Sequence, residues 1–344
     1  MIRTEEFEIK VPASVANLGS GFDTLAVAVQ LYLRVKARVM PGHGQIDFHF
    51  IGQSPRGENC IERAYRYLAG ERWASLPSLS VEVHSDIPMG AGLGSSAAAT
   101  VAGLRLYDTV AGPVSAQAML NAACELEGHP DNASAALLGG LTASCQFPNG
   151  AVRAATFSWP ASIRFVVLTP QECLGTKQSR AALPISVPLA DAVYNLQRVA
   201  LLLHSLQTRD FSMLKHALSD RLHQPARQNI VPGLKEALEL QHPDLLGVCL
   251  SGSGPSVVAL TECNSAAIAN LLASVFNPLG VAHSIRTLDV HDTNQEATAS
   301  SREGNNRTPG TVQSNIALRQ LDSGCETNLL GDSAEAWRSR AEAG

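Results

Sequence analysis

Four short segments of this 344-residue chain carry residue types able to handle an anion, a cation and a proton. The most informative is Ile87–Ala99, IPMGAGLGSSAAA, which follows an alternating strand-like run and opens an alanine-rich helix. Glycines let a backbone approach a ligand closely, and a helix N-terminus offers unpaired N–H groups at the positive end of its dipole. Ser95 and Ser96 add hydroxyls, as donors or as a ligand for a magnesium ion. The segment therefore reads as a phosphate cradle, although a tight strand-to-helix turn would look similar. It lacks the Lys-Ser or Lys-Thr ending of a Walker A loop and the G-x-x-G spacing of a dinucleotide fingerprint, which weakens ordinary ATPase and dehydrogenase readings.

The second segment, Pro12–Asp23 (PASVANLGSGFD), sets the Asn17 amide and the Asp23 carboxylate in a glycine-containing turn. Either residue alone would be unremarkable there, because Asn and Asp satisfy turn backbones locally. The third, Glu125–Asn132 (ELEGHPDN), gathers Glu125, Glu127, His129, Asp131 and Asn132 around a helix end. Its acids suit Mg²⁺ or an ammonium group; a solvated helix C-terminus with a Gly-Pro stop reads equally well. The fourth, Leu250–Ser256 (LSGSGPS), lies between two apolar strands, where its glycines make a turn or leave room for a ligand.

These segments need elements to position them. Ile46–Phe50 and Leu79–Val83 alternate as half-buried strands, and 61–68 and 97–111 have helical character. A buried strand is expected at Arg164–Leu168, and a helix through Val193, Leu196, Val199, Leu203 and Leu206. Val248–Leu250 and Val257–Leu260 complete the set as a strand pair. The result is an α+β chain with one domain over 1–158, a second over 159–289, and a polar, period-free tail over 290–344 that reads as disordered.

Composition narrows the class. Hydrophobic residues make up 45% and charged residues 17%, enough for sizeable cores, and apolar runs break before the roughly 18 residues of a membrane span. A net charge of −5 argues against a nucleic-acid partner. The seven cysteines are scattered without C-x-x-C pairs, so they read as buried free thiols. With an acidic start in place of a secretory leader, the expected compartment is the cytoplasm.

In this order, the segments resemble the motifs of the GHMP small-molecule kinases: the first at 12–23, the phosphate loop at 88–98, the third at 250–256. Within that group, PASVANLGSGFD, HPDN at 129–132 and QPAR at 224–227 followed by Val231-Pro232-Gly233 look most like the homoserine kinases. The resemblance implies the two-domain GHMP kinase fold, an N-terminal domain like domain 2 of ribosomal protein S5 and a ferredoxin-like C-terminal domain. It implies phosphoryl transfer from ATP, with Mg²⁺, to the side-chain hydroxyl of L-homoserine. Pro88, Met89, Gly90, Ala91, Gly92, Leu93, Gly94, Ser95, Ser96, Ala97 and Ala98 would wrap the nucleotide, with Asn59 beside the adenine. Ser96 and Glu127 would hold the metal, Glu125 being the alternative acid. Asn17 and Asp23 would touch the hydroxyl, Asp23 as general base or as an orienting group. Arg180 and Arg227 would take the carboxylate; His129, Asp131 and Asn132 the ammonium end; Gly252, Ser253 and Gly254 would close over the substrate. Ala91 stands where many relatives carry a basic or polar residue. A homodimer is consistent with the resemblance.

Overall fold

The computed structural model describes residues 6–55 and 57–292, all within one compact unit. Its strands are β1 (Glu6–Ala16), β2 (Leu25–His43), β3 (Ile46–Ile51), β4 (Pro77–Ser85), β5 (Leu141–Gln146), β6 (Val152–Phe157), β7 (Arg164–Pro170), β8 (Gly247–Leu250), β9 (Val257–Thr261) and β10 (His283–Leu288). Its α-helices are α1 (Cys60–Ala69), α2 (Ser95–Ala111), α3 (Ala116–Glu127), α4 (Asp131–Leu138), α5 (Thr176–Ala181), α6 (Leu189–Thr208), α7 (Leu214–Ala217), α8 (Gln224–Arg227), α9 (Leu234–Leu238) and α10 (Ser265–Phe276).

Strands β1–β6 form one sheet in the order β3-β4-β2-β5-β6, with β1 also on β2; only the β3–β4 pairing is parallel. The 19-residue β2 is its spine, pairing with β1 along most of its length, with β4 from Leu33 and with β5 at Leu25–Val27. Strands β7–β10 form a second, antiparallel sheet in the order β10-β7-β9-β8. Its sequence order, β7-α6-β8-β9-α10-β10, is the split βαβ arrangement of ferredoxin-like domains. Alternation along β7 explains its burial: Phe165 and Val167 join the main core with Leu202 and Leu206 of α6, while Val166 and Leu168 meet Ile268, Leu272 and Phe276 of α10. The chain passes from the first sheet to the second between Phe157 and Arg164.

Two expectations need revision. Among the described cysteines only Cys124 and Cys249 are buried; Cys145, Cys173 and Cys263 are exposed and Cys60 is half-buried. Burial pushes the Cys124 and Cys249 thiols up to about 12, so they are inert packing groups. Val290 and His291, placed in the tail, pair with β2 through a Val29–Val290 bridge and a His291 N–H bond to the Ala28 carbonyl. The rest of the expected tail, and Cys325, lie outside the described residues, within which no helix is long and apolar enough to cross a membrane.

Candidate active site

The loop from β4 into α2 is clasped from both sides. Ser14 donates its N–H to the Leu93 carbonyl (3.1 Å), Ser256 to that of Ala91 (3.2 Å), and the Ser251 hydroxyl to that of Gly92 (2.7 Å). That approach leaves no room for side chains at two positions. A Cβ on Gly92 would lie 2.3 Å from the Ser251 carbonyl oxygen, one on Gly94 would lie 2.2 Å from Ser14 Oγ, and both have positive φ (+75° and +70°). Gly94 precedes α2, and no side chain caps the helix. The first-turn N–H groups of α2 therefore open with their dipole onto a cleft lined by Gly90–Gly92 and Gly94–Ala97.

Ser96 sits against the end of α3. Its hydroxyl donates to Glu127 Oε1 at 3.0 Å, and Thr100 donates to the same oxygen at 2.6 Å. Gly128, in the left-handed conformation, stops α3 there, so Glu127 reaches the cleft. Glu125 points elsewhere and accepts the Tyr67 hydroxyl at 2.6 Å.

The segment between β1 and β2 is a run of left-handed backbone, with φ of +70° at Asn17, +45° at Leu18, +70° at Gly19 and +51° at Asp23. Asn, Asp and Gly bear that conformation well; Leu18 does not, and full burial in the core holds it. Asn17 spans the turn: Oδ1 accepts the Asp23 N–H (3.0 Å) while Nδ2 donates to the Gly252 carbonyl (3.1 Å). Arg180, on α5, grips Asp23 with both terminal nitrogens at 3.0 and 2.7 Å. Beside this pair, His129 meets Asp131 Oδ1 through Nδ1 at 2.7 Å. Burial works against a charged His129 ring, but the hydrogen bond and charge of Asp131 outweigh it and raise its pKa. Asn132 completes the wall, its Oδ1 accepting the Ser14 hydroxyl at 2.7 Å.

Arg227 enters from α8 and is 2% exposed. Its Nη1 donates to the Gly252 carbonyl and to His223 Nδ1, each at 3.0 Å, while its buried Nε has no partner. Burial, and then the neighbouring Arg180 charge, bring its pKa down to about 10, so it is still a cation at neutral pH. Phe22 lies under both guanidiniums, 5.7 Å from Arg180 and 5.5 Å from Arg227, in cation–π range.

The cleft thus gathers Asn17, Asp23, Ser95, Ser96, Glu127, His129, Asp131, Asn132, Arg180, Arg227, Gly252 and Ser253 from the residues singled out in the sequence. Pro88, Met89, Leu93, Ala98 and Gly254 do not line it and act behind it: Leu93 is core, and the Met89 carbonyl accepts the Cys173 thiol. Asn59 caps α1, its Oδ1 accepting the Ile61 and Glu62 N–H groups. The sequence reading missed Phe22, Thr176 and His223. Phe22 lies within the segment PASVANLGSGFD, but an apolar ring carries no chemical signal of its own, and neither does the Thr176 hydroxyl.

His223 is fully buried, and burial lowers its pKa below the usual 6.5. The unfolded chain then binds a proton that the folded chain refuses, so this residue's contribution to stability falls as pH drops below 6.5 towards its folded value. Denaturation midpoints at pH 7.5 and 5.5 should show a larger acid loss in the native protein than in His223→Gln; equal losses would refute that assignment.

An open helix N-terminus that shares one cleft with acids and two arginines suits the transfer of a phosphoryl group to a charged acceptor, and two family profiles give the class as that of the GHMP kinases. The profile described as "GHMP kinases N terminal domain" matches residues 59–140, and that described as "GHMP kinases C terminal" matches 202–276. The homoserine kinase of Solibacter usitatus is 38% identical over 291 residues, 82% of this chain and 93% of the relative. That of Thermus thermophilus is 39% identical over 261 residues, 75% of this chain and 87% of the relative. The crystal structure of homoserine kinase from Cytophaga hutchinsonii superposes with a TM-score of 0.75 at 25% identity, covering 84% of this chain and 96% of that one. The chain belongs to the homoserine kinase family of GHMP kinases.

Proposed function

We propose that the protein transfers the γ-phosphoryl group of ATP to the side-chain hydroxyl of L-homoserine, forming O-phospho-L-homoserine on the route to threonine, in the cytoplasm. One observation carries the reading: a cation that is almost wholly buried, Arg227, faces the same cleft as the open N-terminus of α2, and Asp23 lines that cleft with them. Such an arginine calls for an anionic group on the acceptor, and the helix for one on the donor.

In this reading the Gly90–Ala97 backbone cradles the nucleotide phosphates. The cleft-lining oxygens of Ser96 and Glu127, 3.0 Å apart, are the hard donors that Mg²⁺ prefers, and they would hold it. When bound, the ion neutralises charge on the transferring group. Arg227 and Arg180 take the carboxylate of homoserine, and Asp131 with His129 faces its ammonium group. Asp23, steadied by Asn17, receives the hydroxyl. As the acceptor oxygen bonds to γ-phosphorus, the bond to the β,γ-bridging oxygen breaks and ADP leaves. The hydroxyl proton passes to Asp23 late, because a loose transition state needs little early deprotonation. Asp23 is then chiefly an orienting group.

The test is ADP release from Mg-ATP with L-homoserine, L-serine, L-threonine and mevalonate as acceptors. Preference for homoserine is expected. Preference for mevalonate would keep the phosphate cradle and discard the amino-acid site; nucleotide binding without turnover on any acceptor would refute the kinase reading.

A further inference from the structure

We propose that His223 is the positioning residue for acceptor recognition: its neutral ring holds the Arg227 guanidinium at the angle from which it meets the substrate carboxylate, and does so from outside the cleft. The inference rests on the acceptor reading above.

The bonding pattern sets the state of the ring. Arginine can only donate, so the His223 Nδ1 that lies 3.0 Å from Arg227 Nη1 must accept. The proton therefore sits on Nε2, which donates to the Gly19 carbonyl at 2.8 Å. One ring thus joins the turn that carries Asp23 to the arginine across the cleft. Phe22 stacks on it, centroids 5.2 Å apart and planes 27° apart, so the same aromatic ring supports the histidine and both guanidiniums.

The two ends of this link are not equally dependent on it. The turn has other anchors: the Ser20 hydroxyl donates to the Ala217 carbonyl, Asn195 donates to the Ser20 carbonyl, and Gly19 packs against the Leu218 backbone. Arg227 has no such reserve. Among the described residues its side-chain hydrogen bonds are those to Gly252 and His223, both through Nη1. Losing Nδ1 leaves the guanidinium one hydrogen bond, to the Gly252 carbonyl, and the Phe22 face, which supports its plane but does not fix its angle within it. The histidine itself is fixed, because Asp220 accepts the N–H groups of Leu222, His223 and Gln224 and an Asn195 amide proton. The site is thus braced from Asp220 through His223 to Arg227.

Two near-isosteres separate the roles of the ring nitrogens. Asn places an acceptor where Nδ1 stood; Gln places a donor where Nε2 stood and removes the acceptor. In steady-state kinetics His223→Gln should raise KM for homoserine about tenfold, the ~1.4 kcal/mol that one charge-assisted bond supplies, with kcat and KM for ATP little changed. His223→Asn should recover most of that loss. In an Arg227→Ala background, His223→Gln should add nothing further, because the group it positions is gone. Equal rises in both KM values, no recovery by Asn, or an undiminished effect without Arg227 would overturn the proposal. So would failure of both variants to fold, which would make His223 a folding requirement. Homoserine turnover by the native protein and acceptor KM in Arg227→Ala judge the acceptor reading separately. If the native protein does not use homoserine, both readings fall.

Discussion

Asp23→Asn should lower kcat by roughly 10²-fold, the scale of a misplaced nucleophile, since Asp23 orients the hydroxyl and takes its proton late, while KM for ATP holds. The acceptor should not bind more weakly. In the free protein Asp23 occupies the Arg180 fork at 2.7 and 3.0 Å, where the substrate carboxylate would bind, so substrate must win the arginine from an internal competitor. A neutral amide is a poorer rival, and KM for homoserine should stay level or fall. The αL backbone at this site suits Asn as well as Asp, which keeps the variant folded. Steady-state kinetics in both substrates, with nucleotide binding by calorimetry, is the check. Parallel losses of turnover and ATP affinity would instead give Asp23 a structural role.

Arg227→Ala should lower kcat/KM for homoserine by ~10²- to 10³-fold, consistent with one or two bonds to a charged group at about 1.5–3 kcal/mol each. Most of the loss should appear in KM for the acceptor. Arg227→Lys should recover little, since an ammonium cannot reproduce a fork that reaches Gly252, His223 and a carboxylate together. Burial adds a stability cost to the Ala variant, because a large side chain leaves a hole beside Phe22. Thermal melts in parallel with kinetics separate the two effects: a melting loss alone, with acceptor KM unchanged in the surviving enzyme, would remove Arg227 from substrate binding.

Much of this arrangement was legible in local sequence because local chemistry produces it. The glycines and serines of 90–96 mark a strand-to-helix turn with an open helix end, and the Leu250–Ser256 turn shows between two apolar runs. β2 was harder to read. Ala26 and Ala28 are buried on the face opposite Val27 and Val29, where they meet Ala16 and Ala135, so the alternation expected of a one-sided strand is lost. Cys145, Cys173 and Cys263 illustrate a different limit: thiols carry no local signal for which way they face, and these face solvent. The grip of Arg180 on Asp23 joins residues 157 apart, and His223 meets Gly19 across 204. Pairings over such distances follow from how the second sheet folds back, which no short window contains. Glu127 was separable from Glu125 only once the end of α3 was placed.

The clasp on the phosphate loop has a consequence for the order of folding. Gly92 is held by Ser251 across 159 residues, and Asn17 shares Gly252 with Arg227 across 235. Contacts this distant in sequence carry a large loop-closure entropy and form late. The nucleotide cradle should therefore appear only as the second sheet docks, and nascent chains that have made β1–β6 should have no competent phosphate site. Substrates then act as ligands of the finished protein alone, so Mg-ATP and homoserine should slow unfolding and raise stability as RT ln(1 + [L]/Kd) without hastening the early steps of folding.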